Sequence, residues 1–125
     1  MNKAFIDQLS PHWERTTAVF SALGDATRQK ILLLFGPREE ICVTDIAAVF
    51  RLSRPAISHH LKVLRNAGLL ACEKRGKEVY YRINENENTD ILHVVHEIAE
   101  RESFVASRQG ETTGTEDSDS PLHSS

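Results

Sequence analysis

The sequence predicts a mainly helical fold with one β-hairpin, a winged helix-turn-helix, and three observations carry that expectation. Ser53 to Leu70 (SRPAISHHLKVLRNAGLL) reads as one amphipathic helix with a capped start and a glycine at its end. A shorter apolar helix, Thr44 to Phe50 (TDIAAVF), precedes it with only Arg51-Leu52-Ser53 between them, which is the spacing of a helix-turn-helix. Two runs of strand formers, Leu70–Glu73 and Val79–Ile83, follow it and are joined by the cationic turn Lys74-Arg75-Gly76-Lys77.

At 125 residues the chain has room for one domain. Residues 1–11 read as an N-terminal arm, residues 12–106 as the folded unit and residues 107–125 as a disordered acidic tail. In the arm, Phe5, Ile6 and Leu9 fit a short helical turn that stops near Ser10-Pro11. From His12 the run HWERTTAVFSALG predicts a helix carrying Trp13, Val19, Phe20 and Leu23, ended by Gly24. Asp25 caps the next helix, ATRQKILLLFG, whose Ile31, Leu32, Leu34 and Phe35 place it at the centre of the core, with Gly36 closing it. Pro37 to Glu40 is a polar loop. Thr44 is the expected cap of the following helix, with Asp45 favourably placed at the positive end of its dipole.

In the long helix Ser53 is the N-cap, Pro55 sits in the first turn where a missing N–H is harmless, and Gly68 supplies the left-handed residue after the last turn. Stepping ~100° per residue gathers Ile57, Leu61, Leu64, Ala67, Ala56, Val63 and His60 on one side. Arg54, Ser58, His59, Lys62, Arg65 and Asn66 take the other. An apolar back that anchors to the protein and a front of cations and short hydrogen-bonders suit a helix lying in a DNA major groove. The charge distribution agrees. The chain carries a net −3, yet Arg51 to Arg82 holds eight Lys or Arg against Glu73 and Glu78, a local balance of +6. Beyond Arg108 the charged residues are all acidic. Phosphate contact is governed by local charge, because salt screens beyond ~8 Å.

Asn84 to Asn88 is a polar joint, after which Thr89 or Asp90 caps a last helix through roughly Val105. Ile91, Val94, Val95, Ile98, Ala99 and Val105 cover one of its faces. His93, His96, Glu97 and Glu100 form a stripe on the other, read as a solvated face with His93–Glu97 and His96–Glu100 pairs. The remaining chain is too polar to cover the apolar face, which therefore reads as an interface.

The blocks Ala22-Leu23-Gly24-Asp25-Ala26-Thr27-Arg28, Ser53 through Leu69, and Gly76-Lys77 with Val79-Tyr80-Tyr81 resemble the ArsR family of bacterial winged-helix repressors. The match runs in order, at the family's spacings, over roughly Phe20 to Ile83. The resemblance implies a homodimeric transcriptional repressor that leaves its operator when an inducer binds; many members sense metals or metalloids. Two departures bear on that last point. Members that sense soft metals often carry Cys-Val-Cys-Asp where this chain has Cys42-Val43-Thr44-Asp45, and one thiolate cannot supply a soft-ion site. Members that bind metal on the last helix use Asp-x-His and a second His about three turns on, whereas Asp90 is followed by Ile91 and Leu92. No metal site and no cofactor are expected, and Cys42 reads as a small buried apolar residue. Arg51 also departs from the glycine common at the turn in relatives, so the expectation is either a slightly different turn backbone or a tolerated strain.

The expected function is DNA-binding transcriptional regulation, as a dimeric repressor on an operator with inverted half-sites. Ser53, Arg54, Ser58, His59, Lys62 and Arg65 of the recognition helix face the DNA, with Lys74, Arg75 and Lys77 of the wing on flanking phosphates. The homodimer interface is expected through Trp13, Phe20, Ile91, Val94, Val95 and Ile98. His60, on the apolar back, reads as a hydrogen-bonded boundary residue. The rival class is a winged-helix protein-interaction module without DNA binding. No phosphate loop, activated nucleophile or convergent carboxylate pair points to an enzyme. No apolar run near 18 residues predicts a membrane span, the N-terminus lacks the apolar core of a signal peptide, and two distant cysteines make no disulfide framework; a cytoplasmic protein with reduced thiols is expected. The inducer is not encoded in any motif.

Overall fold

Two helix starts are set by side chains, Asp25 and Ser53, that satisfy backbone groups a helix end leaves open. The computed structural model describes residues 1–85 and 89–113. In chain order they form α1 (Lys3–Asp7), α2 (Trp13–Leu23), α3 (Ala26–Leu34), β1 (Ile41–Cys42), α4 (Val43–Phe50), α5 (Arg54–Asn66), β2 (Leu70–Arg75), β3 (Glu78–Ile83) and α6 (Thr89–Thr113). Asp25 caps α3 by accepting from the Arg28 N–H at 3.0 Å. In return α3 closes α2: Arg28 Nε donates to the Ala22 carbonyl at 2.8 Å and Gln29 Nε2 to that of Leu23 at 2.6 Å. The Gly24-Asp25 corner is thus held from both sides.

The recognition helix α5 begins as expected, with Ser53 Oγ accepting from the Ala56 N–H at 3.3 Å. It ends in a Schellman motif: the Leu69 N–H reaches the Leu64 carbonyl at 3.0 Å, the Gly68 N–H that of Arg65 at 2.9 Å, and Gly68 has φ +83°. The strands form one antiparallel sheet in the order β1-β3-β2. Leu70 pairs with Ile83 and Arg75 with Glu78, so the hairpin turn is only Gly76-Lys77. Gly76 takes φ +62° at the first central position, as a type II′ turn requires.

The core lies under α5. Ile31 and Leu32 of α3, Ile46 of α4, Ile57, Leu61 and Leu64 of α5, and Leu69 and Leu70 at the start of the hairpin are all essentially inaccessible. Tyr81 of β3 and Leu92 of α6 close its edges.

Three expectations change. Thr44 is not a cap: α4 starts at Val43 after an extended Cys42, and no side chain caps it. Just ahead of it Ile41-Cys42, to which the sequence reading gave no element, is a strand pairing with Tyr81 and Tyr80 of β3. The strands of the hairpin run closer to its tip than the sequence reading placed them. The last helix continues to Thr113, eight residues past Val105 and into the stretch read as tail. No proline falls between Val105 and Thr113, so every residue there keeps the backbone N–H a continued helix needs. The rest of the expected tail, residues 114–125, lies outside the described residues, as does most of the Asn84–Asn88 joint.

Candidate nucleic-acid interface

Burial along α5 sorts its residues as the periodicity predicts. Ile57, Leu61 and Leu64 are fully buried, while Arg54, His59, Lys62, Arg65 and Asn66 are exposed. Ser58 is half-buried at the boundary of the front, and Ser53 is exposed with its hydroxyl engaged as the cap. The helix therefore offers a cationic front on an apolar anchor.

The cations of this surface are not equivalent. Lys62, Lys74 and Lys77 are exposed and make no ion pair or side-chain hydrogen bond among the described residues. Arg75 is held on three sides: Nη2 bonds Glu40 Oε2 at 2.7 Å and Glu73 Oε1 at 2.9 Å, and its guanidinium lies 4.9 Å from the Tyr80 ring centroid. The Arg75 hydrogen bond is the main cause that holds the Glu40 carboxyl below its usual range, while the two carboxylates push the guanidinium upward. Arg75, beside the hairpin turn, therefore ties the end of β2 to Glu40 ahead of β1 and brings no net positive charge to the tip of the wing. Arg65 Nη1 donates to Cys72 Sγ at 3.7 Å, tying the end of α5 to β2 and raising the guanidinium's pKa.

Arg54, the first residue of α5, sits in a closed ring of contacts. Its Nη1 donates to Thr44 Oγ1 at 2.7 Å, the Thr44 hydroxyl donates to Glu78 Oε1 at 3.3 Å, and Arg54 Nη2 lies 3.8 Å from the same oxygen. No local sequence signal announces this ring, because its members come from α4, α5 and β3. Arg51 holds the turn with φ +55° and ψ +37°, the left-handed region, so the turn does demand the conformation that glycine adopts freely.

Behind the front, His60 is the boundary residue expected of it, with a side chain 19% exposed. Arg28 Nη1 donates to His60 Nδ1 at 3.1 Å, which places the ring proton on Nε2. Burial is the main cause that lowers the imidazole pKa; Asp25, 3.9 Å away, acts in the opposite sense and Arg28 adds to the lowering.

Neither cysteine is fully buried, so the small-apolar reading of Cys42 holds only in part. Cys42 pairs with Tyr80 and Cys72 with Tyr81, on opposite sides of β3. Because neighbouring residues of a strand point to opposite faces, the two thiols project away from each other. Among the described residues no group of three or more His, Cys, Asp or Glu is arranged to hold a metal ion. Nor does the stripe on α6 form its expected pairs: among the described residues no contact joins His93 to Glu97 or His96 to Glu100. His96 is half-buried, and with His93 it lines a cleft of about 740 Å³ alongside Phe35, Pro37, Ile83 and Leu92.

The residues expected at a dimer interface divide by exposure. Trp13 (43%) and Phe20 (58%) stand out from α2 with their rings edge to face at 6.3 Å, and Val94 (52%) and Ile98 (50%) stand out from α6. Ile91 and Val95 are half-buried. The apolar arc of α6 is wider than one interface needs. Its Leu92 side packs on the chain's own core, and its Val94–Ile98 side is left open. Among the described residues no helix is long and apolar enough to cross a membrane.

Residues 25–71, which span α3, α4, α5 and the start of β2, match the family described as bacterial regulatory protein, arsR family. The chain is similar to a cadmium resistance transcriptional regulatory protein, the CadC homolog of Staphylococcus aureus, at 36% identity over 85 residues, which are 68% of this chain and 70% of that protein. It is 34% identical over 86 residues to the uncharacterized HTH-type transcriptional regulator MJ1325 of Methanocaldococcus jannaschii, covering 69% of this chain and 97% of that one. Among solved structures it resembles the homodimeric winged helix-turn-helix DNA-binding domain Mb0332 of Mycobacterium bovis, with a TM-score of 0.64 and 25% identity. That match covers 74% of this chain and 88% of the other.

Proposed function

The chain belongs to the ArsR family of bacterial regulatory proteins and is a DNA-binding transcriptional regulator, and on that premise we propose that it acts as a homodimeric repressor on an operator with inverted half-sites. One observation carries the assignment of its DNA surface: the exposed front of α5 stands beside a hairpin whose two lysines have no partner among the described residues, over a helix back anchored by the buried Ile57, Leu61 and Leu64. His59, Lys62 and Asn66 meet base edges and phosphates in the major groove, while Lys74 and Lys77 meet phosphates alongside it. Dimerisation uses the open sides of α2 and α6, Trp13 and Phe20 with Val94 and Ile98. The solved relative named as a homodimer supports dimerisation itself.

An inducer releases the operator by binding the non-binding form of the dimer more tightly, by ~1.4 kcal/mol for each tenfold change in DNA affinity. We assign that inducer to a class other than a soft metal held by two thiolates of one protomer, since Cys42 and Cys72 diverge and Thr44 is occupied by Arg54 and Glu78.

The test is fluorescence anisotropy on a duplex enriched by the protein from a random pool, at several salt concentrations. Lys77→Ala should weaken enriched and random duplexes alike and reduce the salt slope by about 0.9. Lys62→Ala should weaken the enriched duplex more than the random one. Adding Cd²⁺ should leave the complex intact. Full affinity for both duplexes in a Lys62→Ala/Lys77→Ala double variant would sink this assignment, and release by Cd²⁺ would sink the inducer class.

A further inference from the structure

We propose that Thr44 and Glu78 are positioning residues for sequence recognition: together they aim Arg54 from the head of the recognition helix and key the wing to it. The proposal rests on the DNA-binding reading above and names the residues that set its selectivity.

A cation at the first position of a helix is unfavourable, because the helix dipole is positive at that end. Capping does not call for it either, since Ser53 supplies the cap and Pro55 the matched backbone. Something must therefore hold the guanidinium in place, and the ring of contacts does so. The Thr44 hydroxyl accepts from Arg54 at 2.7 Å while donating to Glu78 at 3.3 Å, and the Glu78 carboxylate supplies the opposing charge at 3.8 Å. Only a hydroxyl side chain can accept and donate in this way with so short a reach. A guanidinium has five N–H donors, and the ring engages Nη1 and faces Nη2, so the others remain for a base edge or phosphate.

The ring also fixes what that arginine can do. Free cations bind any phosphate, whereas one tethered beside a carboxylate is held to one direction and loses part of its attraction for DNA at large. Glu78 is the first residue of β3, directly after the Gly76-Lys77 turn. The wing is thereby registered against the same residue that leads the recognition helix into the groove.

The experiment measures one ratio, the dissociation constant for random duplex over that for the duplex the wild type enriches from a random pool, at fixed salt. Thr44→Val, Thr44→Ser and Glu78→Gln are each made in the wild type and in an Arg54→Ala background. Thr44→Val and Glu78→Gln should lower the ratio by about fivefold without changing the melting temperature, whereas Thr44→Ser should stay within about twofold of wild type. Glu78→Gln should in addition bind random duplex more tightly. In the Arg54→Ala background neither substitution should change the ratio further. A wild-type ratio in Thr44→Val, or a loss that persists undiminished without Arg54, overturns the positioning role. A wild type that enriches no sequence overturns the DNA-binding reading itself, and this proposal with it.

Discussion

Replacing Arg51 by glycine should make the protein more stable, and the size of the gain follows from the backbone. Arg51 sits at φ +55° and ψ +37°, where a side chain's Cβ crowds the following carbonyl at a cost of roughly 1–2 kcal/mol. Glycine escapes that crowding but gives the unfolded chain more freedom to lose, which takes back roughly 0.5–1 kcal/mol. The net gain is about 0.5–1 kcal/mol. A domain of this size shifts its melting temperature by roughly 4–8 °C per kcal/mol, so the expected rise is about 2–8 °C. Arg51→Ala is the control: it removes the same exposed cation but keeps the Cβ, and should melt close to wild type. Thermal unfolding followed by circular dichroism at one fixed protomer concentration distinguishes them, because a dimer's melting point moves with concentration. Changes in DNA binding shared by both variants report the lost charge; a difference in melting between them reports the backbone. If the glycine variant melts no higher than the alanine variant, the turn is not strained and the reasoning fails.

Two further outcomes are expected. His60 has a pKa lowered in the folded state by burial first, so the unfolded chain binds more protons below the imidazole's ordinary 6.5, and stability should be fully present above that pH and fall as pH drops toward the folded value. Urea midpoints at pH 7.5 and 5.5 should therefore diverge more in wild type than in His60→Asn, whose amide oxygen still accepts from Arg28; equal divergence would clear His60 of the effect. Ile98→Glu, placed on the open side of α6, should yield a folded monomer with weakened operator binding. Sedimentation equilibrium that still finds a dimer at micromolar protomer would remove α6 from the interface.

What was legible in the sequence was local. Ser53, Gly68 and Asp25 mark helix ends through contacts three to five residues long, and each does in the structure what its residue type predicts; Gly24 also ends a helix, but with φ −80° rather than the left-handed backbone a glycine allows. The buried back of α5 follows from its period alone. Contacts between distant residues were not legible. Two-residue β1 is too short for any pattern, and it exists because β3 offers it partners about forty residues on. Thr44 looks like a cap by type, but β1 leads straight into α4 and releases its hydroxyl for Arg54. Charge counting treated the cations from Arg51 to Arg82 alike. The fold separates Arg75 and Arg54, which face Glu40, Glu73 and Glu78, from Lys62, Lys74 and Lys77, which pair with none among the described residues. On α6 the period found the apolar face but not its division between the protomer's own core and the open side.

The pairing of β1 with β3 has a mechanical consequence. Since α4 starts where β1 ends, the first helix of the helix-turn-helix hangs from the inner strand of the wing, and Arg75 ties the turn end of β2 to the loop before β1. A reading head tied together in this way transmits rotation and resists bending. In a dimer of such heads the adjustable quantity is the angle and separation between them, which must match half-sites about one DNA turn, or ~34 Å, apart. An inducer that tilts one head and a DNA spacer of the wrong length therefore act on the same variable, the phase between two rigid bodies and the double helix.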